Sequence, residues 1–157
     1  MLEKLERLVD EIGVLHSRLI LLVGPPGSGK SRLLRLFGES RGIAPLDLDS
    51  ALGRRLIALS SRQRPIQAAE ALRELIAQRA PGDLLLFDNL ELLFDETLKL
   101  DPLDLLRRQA QTRRVVAVWP GDLHPVGGHS RLTYAHSNHP EYEDFAADGV
   151  VLLPLET

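Results

Sequence analysis

The stretch that constrains this chain most is "RLILLVGPPGSGKSR", residues 18 to 32. Leu19 to Val23 form a short apolar run without polar alternation, which suits a strand buried on both faces, as in a parallel sheet. It leads into Gly24-Pro25-Pro26-Gly27-Ser28-Gly29-Lys30-Ser31, a match to G-x-x-x-x-G-K-[ST] at every fixed position. Glycines let the backbone turn so that successive N–H groups face inward toward phosphate oxygens. A helix predicted from Lys30 adds unpaired donors and roughly half a positive charge at its N-terminus. Lys30 is placed to reach the β- and γ-phosphates, and the Ser31 hydroxyl to ligate Mg²⁺. Pro25 and Pro26 stiffen the loop but carry no N–H, which leaves Gly27 to Ser31 as the cradle. The predicted nucleotide-contacting set is Gly24, Pro25, Pro26, Gly27, Ser28, Gly29, Lys30, Ser31 and Arg32.

Strand and helix signals alternate along the rest of the chain. Leu2, Leu5, Leu8, Val9, Ile12 and Leu15 recur at three- and four-residue steps, which predicts an amphipathic helix over residues 1–16, packed on the domain. A helix from Lys30 to Phe37 is expected to stop at Gly38. "APLDL", 44 to 48, reads as a second strand, with Asp49 or Ser50 capping a helix through Leu59. Pro65 opens another helix with Ile66, Ala69, Leu72 and Ile76 on one face. "DLLLFD", 83 to 88, is the third strand. Asp101 caps a helix with Pro102 in its first turn. "VVAVW", 115 to 119, and "GVVLLPL", 149 to 155, are the fourth and fifth strands. This order predicts an α/β fold with a five-stranded, mainly parallel sheet, and right-handed crossovers place helices on both faces in a three-layer sandwich. Residues 120 to 148 are the least regular part. The 157 residues fit a single domain, 1–157, with no internal repeat or linker.

In such folds a second strand end supplies the acid that holds Mg²⁺. Asp88 closes the apolar run 84–87 and belongs at the C-terminal edge of the sheet, where ligands bind in open α/β folds. Many hydrolysing proteins carry Glu directly after this acid, to activate the attacking water. Here the residue is Asn89, and an amide can orient a water but cannot accept its proton near neutral pH. Glu91 and Asp95 are near enough to substitute, or are solvated charges on an exposed turn; Glu91 is the first candidate for the catalytic base. The fourth strand ends "VWPGD", where Trp119 suits packing and Asp122 repels phosphate unless it binds metal.

Composition narrows the function classes. A net charge of −3 provides no global field toward nucleic acid, so direct DNA contact has no support from charge. The absence of cysteine rules out disulfides and thiolate metal sites and fits a reducing compartment. No apolar run approaches the roughly 20 residues that span a membrane, and the N-terminus lacks a signal-peptide core. A cytoplasmic protein without membrane contact is expected. Arginines outnumber lysines, 16 to 3. Arg54, Arg55, Arg62 and Arg64 cluster after the second strand and suit an acidic partner, nucleic acid or a solvated face. Arg113 and Arg114 belong to the edge opposite the nucleotide. Arg131 is placed like a finger acting on a neighbouring subunit. His124, His129, His136 and His139 lie close together, but their spacing fits no standard zinc site.

The phosphate-loop stretch, "RRLIALSSRQRPIQAAEALRELIA", "LLLFDNLELLFD" and "VVAVWPGDL" together resemble BrxF, a family of small P-loop proteins of bacteriophage-exclusion (BREX) loci, over most of the chain. The resemblance implies a bacterial defence role beside other locus products, including a large ATPase and a DNA methyltransferase. More broadly the chain resembles a minimal AAA+-type P-loop NTPase core. That implies the sheet order 5-1-4-3-2. The chain stops at strand five, so the C-terminal helical lid of that class and its sensor arginine are expected to be absent. The expected function is Mg-dependent ATP binding with slow or partner-dependent hydrolysis, in a nucleotide-loaded assembly or regulatory subunit that contacts other proteins of a defence complex. The alternatives are an ATPase active as a homo-oligomer and a small-molecule kinase, although the arginine-rich lid that a kinase needs is not seen. No Asn/Thr-Lys-x-Asp guanine motif occurs, so ATP is the default nucleotide.

Overall fold

A computed structural model describes residues 1–14, 18–79, 82–126, 129–134 and 143–156. The elements are α1 (Leu2–Ile12), β1 (Leu19–Val23), α2 (Lys30–Arg41), β2 (Leu46–Asp47), α3 (Leu48–Ile57), α4 (Arg64–Arg79), β3 (Leu84–Asp88), two 3₁₀ turns (Glu91–Phe94 and Glu96–Leu98), α5 (Pro102–Gln109), β4 (Arg114–Val118), β5 (Asp122–Val126), β6 (His129–Tyr134), β7 (Glu143–Ala146) and β8 (Val151–Pro154). The main sheet has the order β2-β3-β4-β1-β8, with every neighbouring pair parallel. With β8 counted as the fifth strand, this is the predicted order 5-1-4-3-2. Among the described residues no helix follows β8, and no helix is long and apolar enough to cross a membrane.

Alternation along the strands makes the three layers. Leu19, Leu21, Leu85, Phe87, Val115 and Ala117 face a core closed by α3, α4 and α5. Ile20, Leu22, Leu84, Leu86, Val116 and Val118 face a second core closed by α1 and α2. All five residues of β1 are buried, which is why its sequence shows no polar alternation. Leu5, Val9 and Ile12 bury one stripe of α1, as their spacing predicts; the helix ends at Ile12, short of the predicted 1–16, and Leu15 lies outside the described residues. Asp10 pairs with Arg41 at 2.9 Å and Glu6 accepts from Ser40 at 3.0 Å, tying α1 to α2.

Several boundaries differ from the sequence reading, each for a physical reason. Helix α2 runs through Gly38 to Arg41. A side chain at 38 would overlap the Ile43 carbonyl and come within 3.1 Å of Leu86, so this glycine permits close packing and does not end the helix. The stop is Gly42, with φ of 70°. The second strand shrinks to Leu46–Asp47 because Asp47, not Asp49 or Ser50, caps α3, its carboxylate accepting from the Ser50 N–H at 3.1 Å. On α4 the buried face is Ala68, Ala71, Leu72 and Ile76, whereas Ile66 is 79% exposed. Leu72 and Ile76 are buried as predicted, and the difference is confined to the first half of the helix, where Ala68 and Ala71 replace Ile66 and Ala69 on the inner face. Asp101 and Pro102 open α5 as predicted.

The largest correction concerns residues 120 to 148. They supply a second, antiparallel sheet of order β5-β6-β7. Leu123, Leu132 and Phe145 lie opposite one another in its register and pack against the α3–α5 core. Pro125 and the histidines obscured this period-two pattern.

Candidate nucleotide site

The phosphate loop leaves β1 at the C-terminal edge of the sheet. Gly24 passes so near Leu155 and Ser28 that a Cβ on it would lie 2.5 Å from the Leu155 carbonyl and 2.8 Å from Ser28 Oγ. Gly29 caps α2 with φ of 92°, a left-handed conformation that suits glycine. Pro25, Pro26, Gly27 and Gly29 are exposed, whereas Ser28 is half-buried and its Oγ has no hydrogen-bond partner. A buried hydroxyl left open in a loop of inward-turned backbone is a donor in search of an oxygen ligand. Arg32, in the first turn of α2, is exposed.

Lys30 Nζ donates to the Gly24 carbonyl at 2.5 Å and the Trp119 carbonyl at 3.4 Å. Partial burial pushes its pKa down, against the charges of Asp122, Glu91 and Asp88, which raise it. Ser31 Oγ donates to Asp88 Oδ1 at 2.9 Å, so the helix after β1 and the end of β3 meet here. A hydroxyl beside a carboxylate is a hard-oxygen donor set, which fits Mg²⁺. The loop backbone and Lys30 fit the phosphates of a nucleotide.

Asn89, in place of the usual base, has φ of 55°, a left-handed conformation that asparagine tolerates better than most residues. Its N–H donates to Asp88 Oδ1 at 2.9 Å, and its carbonyl accepts from the Asp49 N–H at 3.0 Å. Its side-chain amide is hydrogen-bonded to Asp47, which lies opposite Asp88 in the register of β2 and β3. The Asp47 carboxyl is held below its ordinary pKa, chiefly by the Ser50 backbone N–H, with help from Ser50 Oγ and Asn89. Asn89 therefore stitches the ends of two strands together.

The sequence marks Asp49 only as a possible cap, but the structure sets it against Asn89 and Glu91 at this edge. Its Oδ1 accepts from the Leu92 N–H at 2.7 Å, and its carboxyl is hydrogen-bonded to Glu91. Burial first, and then the bond to Glu91, push its pKa up to about 7. No local pattern marks this pair, because it joins the first turn of α3 to a 3₁₀ turn more than forty residues later in the chain. Asp95, the other candidate base, caps the next 3₁₀ turn, accepting from Thr97 N at 2.9 Å and Thr97 Oγ1 at 2.7 Å.

Trp119 has the predicted packing role. It is fully buried, edge-on to Phe94 and Phe145, with its Nε1 donating to the Thr133 carbonyl at 3.2 Å. Arg131 does not lie in an irregular segment. It stands in β6, and its Nε donates to Asp144 of β7 at 2.8 Å, so the guanidinium is engaged within its own chain. Of the arginine cluster, Arg55 pairs with Glu74 and Arg64 donates to the Leu56 carbonyl, while Arg54 and Arg62 are exposed. Arg114 pairs with Asp83 at 2.9 Å on the edge away from the phosphate loop. His124 lies opposite Arg131 in the β5–β6 register. The side chain of His129, and His136 and His139 entirely, lie outside the described residues.

No family model and no curated protein matches the chain. Among solved structures it is similar to C. elegans PCH-2, with 15% identity and a TM-score of 0.45, covering 99% of this chain and 41% of that one. The chain thus spans less than half the length of that structure.

Proposed function

We propose that this chain binds Mg·ATP at the C-terminal edge of its main sheet and turns it over slowly or only with a partner. The observation that carries this reading is the 2.9 Å contact between Ser31 and Asp88. Residues 57 positions apart bring the phosphate-loop hydroxyl and the metal acid together beside Lys30. The loop N–H groups and Lys30 hold the phosphates, and Ser31 and Asp88 hold the ion. When bound, Mg²⁺ neutralises charge on the β- and γ-oxygens. Slow turnover follows from Asn89, which offers no proton acceptor and whose amide bonds to Asp47. The defence setting, in which a nucleotide-loaded subunit contacts other proteins of a BREX-type complex, rests on the resemblance of the sequence and is proposed on that ground.

The test is equilibrium binding of ATP and GTP with Mg²⁺ and with chelator. ATP is expected to bind, more tightly with Mg²⁺. Asp88→Ala is expected to remove that Mg²⁺ dependence and to leave metal-free binding close to wild type. No binding of either nucleotide contradicts the proposal.

A further inference from the structure

We propose that Asp49 is a positioning residue that holds Glu91 as the proton acceptor for ATP hydrolysis. The proposal rests on the reading of this edge as an ATP site and assigns the step that Asn89 leaves without a base. Three carboxylates act on Lys30: Asp122, Glu91 and Asp88. Asp88 is engaged with Ser31 and the Asn89 N–H. Asp122 stands exposed at the start of β5. Glu91 is the one held by another carboxyl group, that of Asp49, which is itself fixed by the Leu92 N–H at 2.7 Å and by its own N–H on the Asn89 carbonyl at 3.0 Å. Asp49 is thus anchored to the same strand end that carries the metal acid.

Two carboxyl groups in hydrogen-bond contact cannot both be ionised without strong repulsion, and the Asp49 carboxyl keeps its proton up to about pH 7. Burial places it on Asp49, because that side chain is half-buried and Glu91 is exposed. The Asp49 hydroxyl then donates to one oxygen of Glu91 and leaves the other free. In the hydrolytic step a water oxygen bonds to the γ-phosphorus and the bond from that phosphorus to the β–γ bridging oxygen breaks. The electron pair leaves with ADP, and the water proton passes to the free Glu91 oxygen. The other charges facing the pair are Asp47, which raises the Asp49 pKa further, Arg54, which acts on Asp47, and Lys30, which faces Glu91.

Asp49→Asn separates positioning from bulk stability, since an amide keeps both the donor to Glu91 and the acceptor for Leu92 N–H. At saturating Mg·ATP, Glu91→Gln is expected to lower kcat by about 10²-fold or more. Asp49→Ala is expected to lower it on the order of 10- to 100-fold through misplacement, and Asp49→Asn to retain most of it. Combining Asp49→Ala with Glu91→Gln should be no slower than Glu91→Gln alone. Wild-type kcat is expected to fall as the Asp49 proton leaves near pH 7, and the Asp49→Asn profile to stay flat there. A nucleotide-free readout is the carboxyl ¹³C titration of Asp49, with a midpoint near pH 7 in wild type and a lower one in Glu91→Gln. Wild-type turnover in Asp49→Ala, or an Asp49 midpoint at the ordinary value of about 3.9, overturns the proposal. A wild type that binds Mg·ATP without turnover overturns it too, and leaves the binding reading intact. A wild type that binds no ATP sinks both.

Discussion

Across the C-terminal edge of the sheet, the phosphate loop faces a rim of carboxylates, and the two are held in place by different means. The loop, Gly24 to Arg32, is one continuous stretch shaped by backbone conformation. Most of its residues are exposed, and Ser28 Oγ bonds to nothing. The rim draws Asp47, Asp49, Asp88 and Glu91 from β2, α3, β3 and a 3₁₀ turn, with Asn89 from the link between the last two, and hydrogen bonds join them. In the loop Ser28 Oγ is left open for a ligand, while Lys30 and Ser31 reach out to two carbonyls and to Asp88, so changes there should weaken binding more than the fold. In the rim the polar groups satisfy one another, so changes there should weaken the fold.

The largest effect on stability is expected from Asn89→Glu. It removes a hydrogen bond to a charged carboxylate, worth about 1.5–3 kcal/mol, and sets a new carboxylate beside Asp47 at a left-handed position. For a domain of this size the melting temperature should fall by about 5–10 °C. The same substitution looks from the sequence like a simple restoration of the base. If nucleotide-free Lys30→Ala loses as much stability, the division between loop and rim fails.

A second effect is expected from pH. The folded Asp49 carboxyl keeps its proton up to about pH 7, whereas an unfolded aspartate loses it near about 3.9. Between those values the folded state binds more protons, so this group's contribution to stability declines as pH rises from about 4 to about 7. Melting curves across that window should show the decline in wild type and lack this contribution in Asp49→Asn. An identical pH dependence in the two proteins breaks the account of the rim.

The smallest effect is expected from Ser28→Ala. Its hydroxyl is buried without a partner, so losing it should leave the nucleotide-free melting temperature unchanged or slightly higher. Nucleotide affinity should nevertheless fall. A clear loss of stability would show that the loop, like the rim, is held by its own side chains.

The same difference explains what could be read from the sequence. The phosphate loop, the five parallel strands and Asp88 carry their information in consecutive residues or short apolar runs. Asp49 and Glu91 meet only because α3 and a 3₁₀ turn pack side by side, and nothing within a few residues of either announces it. Gly38 reads as a helix stop because its actual constraint, the approach of Ile43 and Leu86, lies outside the helix. The β5–β7 sheet is not legible because its inward residues Leu123, Leu132 and Phe145 stand one to a strand and meet only across the register, with proline, glycine and histidine between them in sequence.

The most direct test of the central claim is the shift in melting temperature when Mg·ATP is added to wild type and to Lys30→Ala. At about 100 times Kd, a ligand that binds only the folded state adds roughly 2.7 kcal/mol, which for this chain is on the order of 5–10 °C. Wild type should show that shift, and Lys30→Ala should lose most of it, because the substitution deletes the ammonium now held by the Gly24 and Trp119 carbonyls. Equal shifts in the two proteins, or none in wild type, would contradict the assignment of this edge as a nucleotide site.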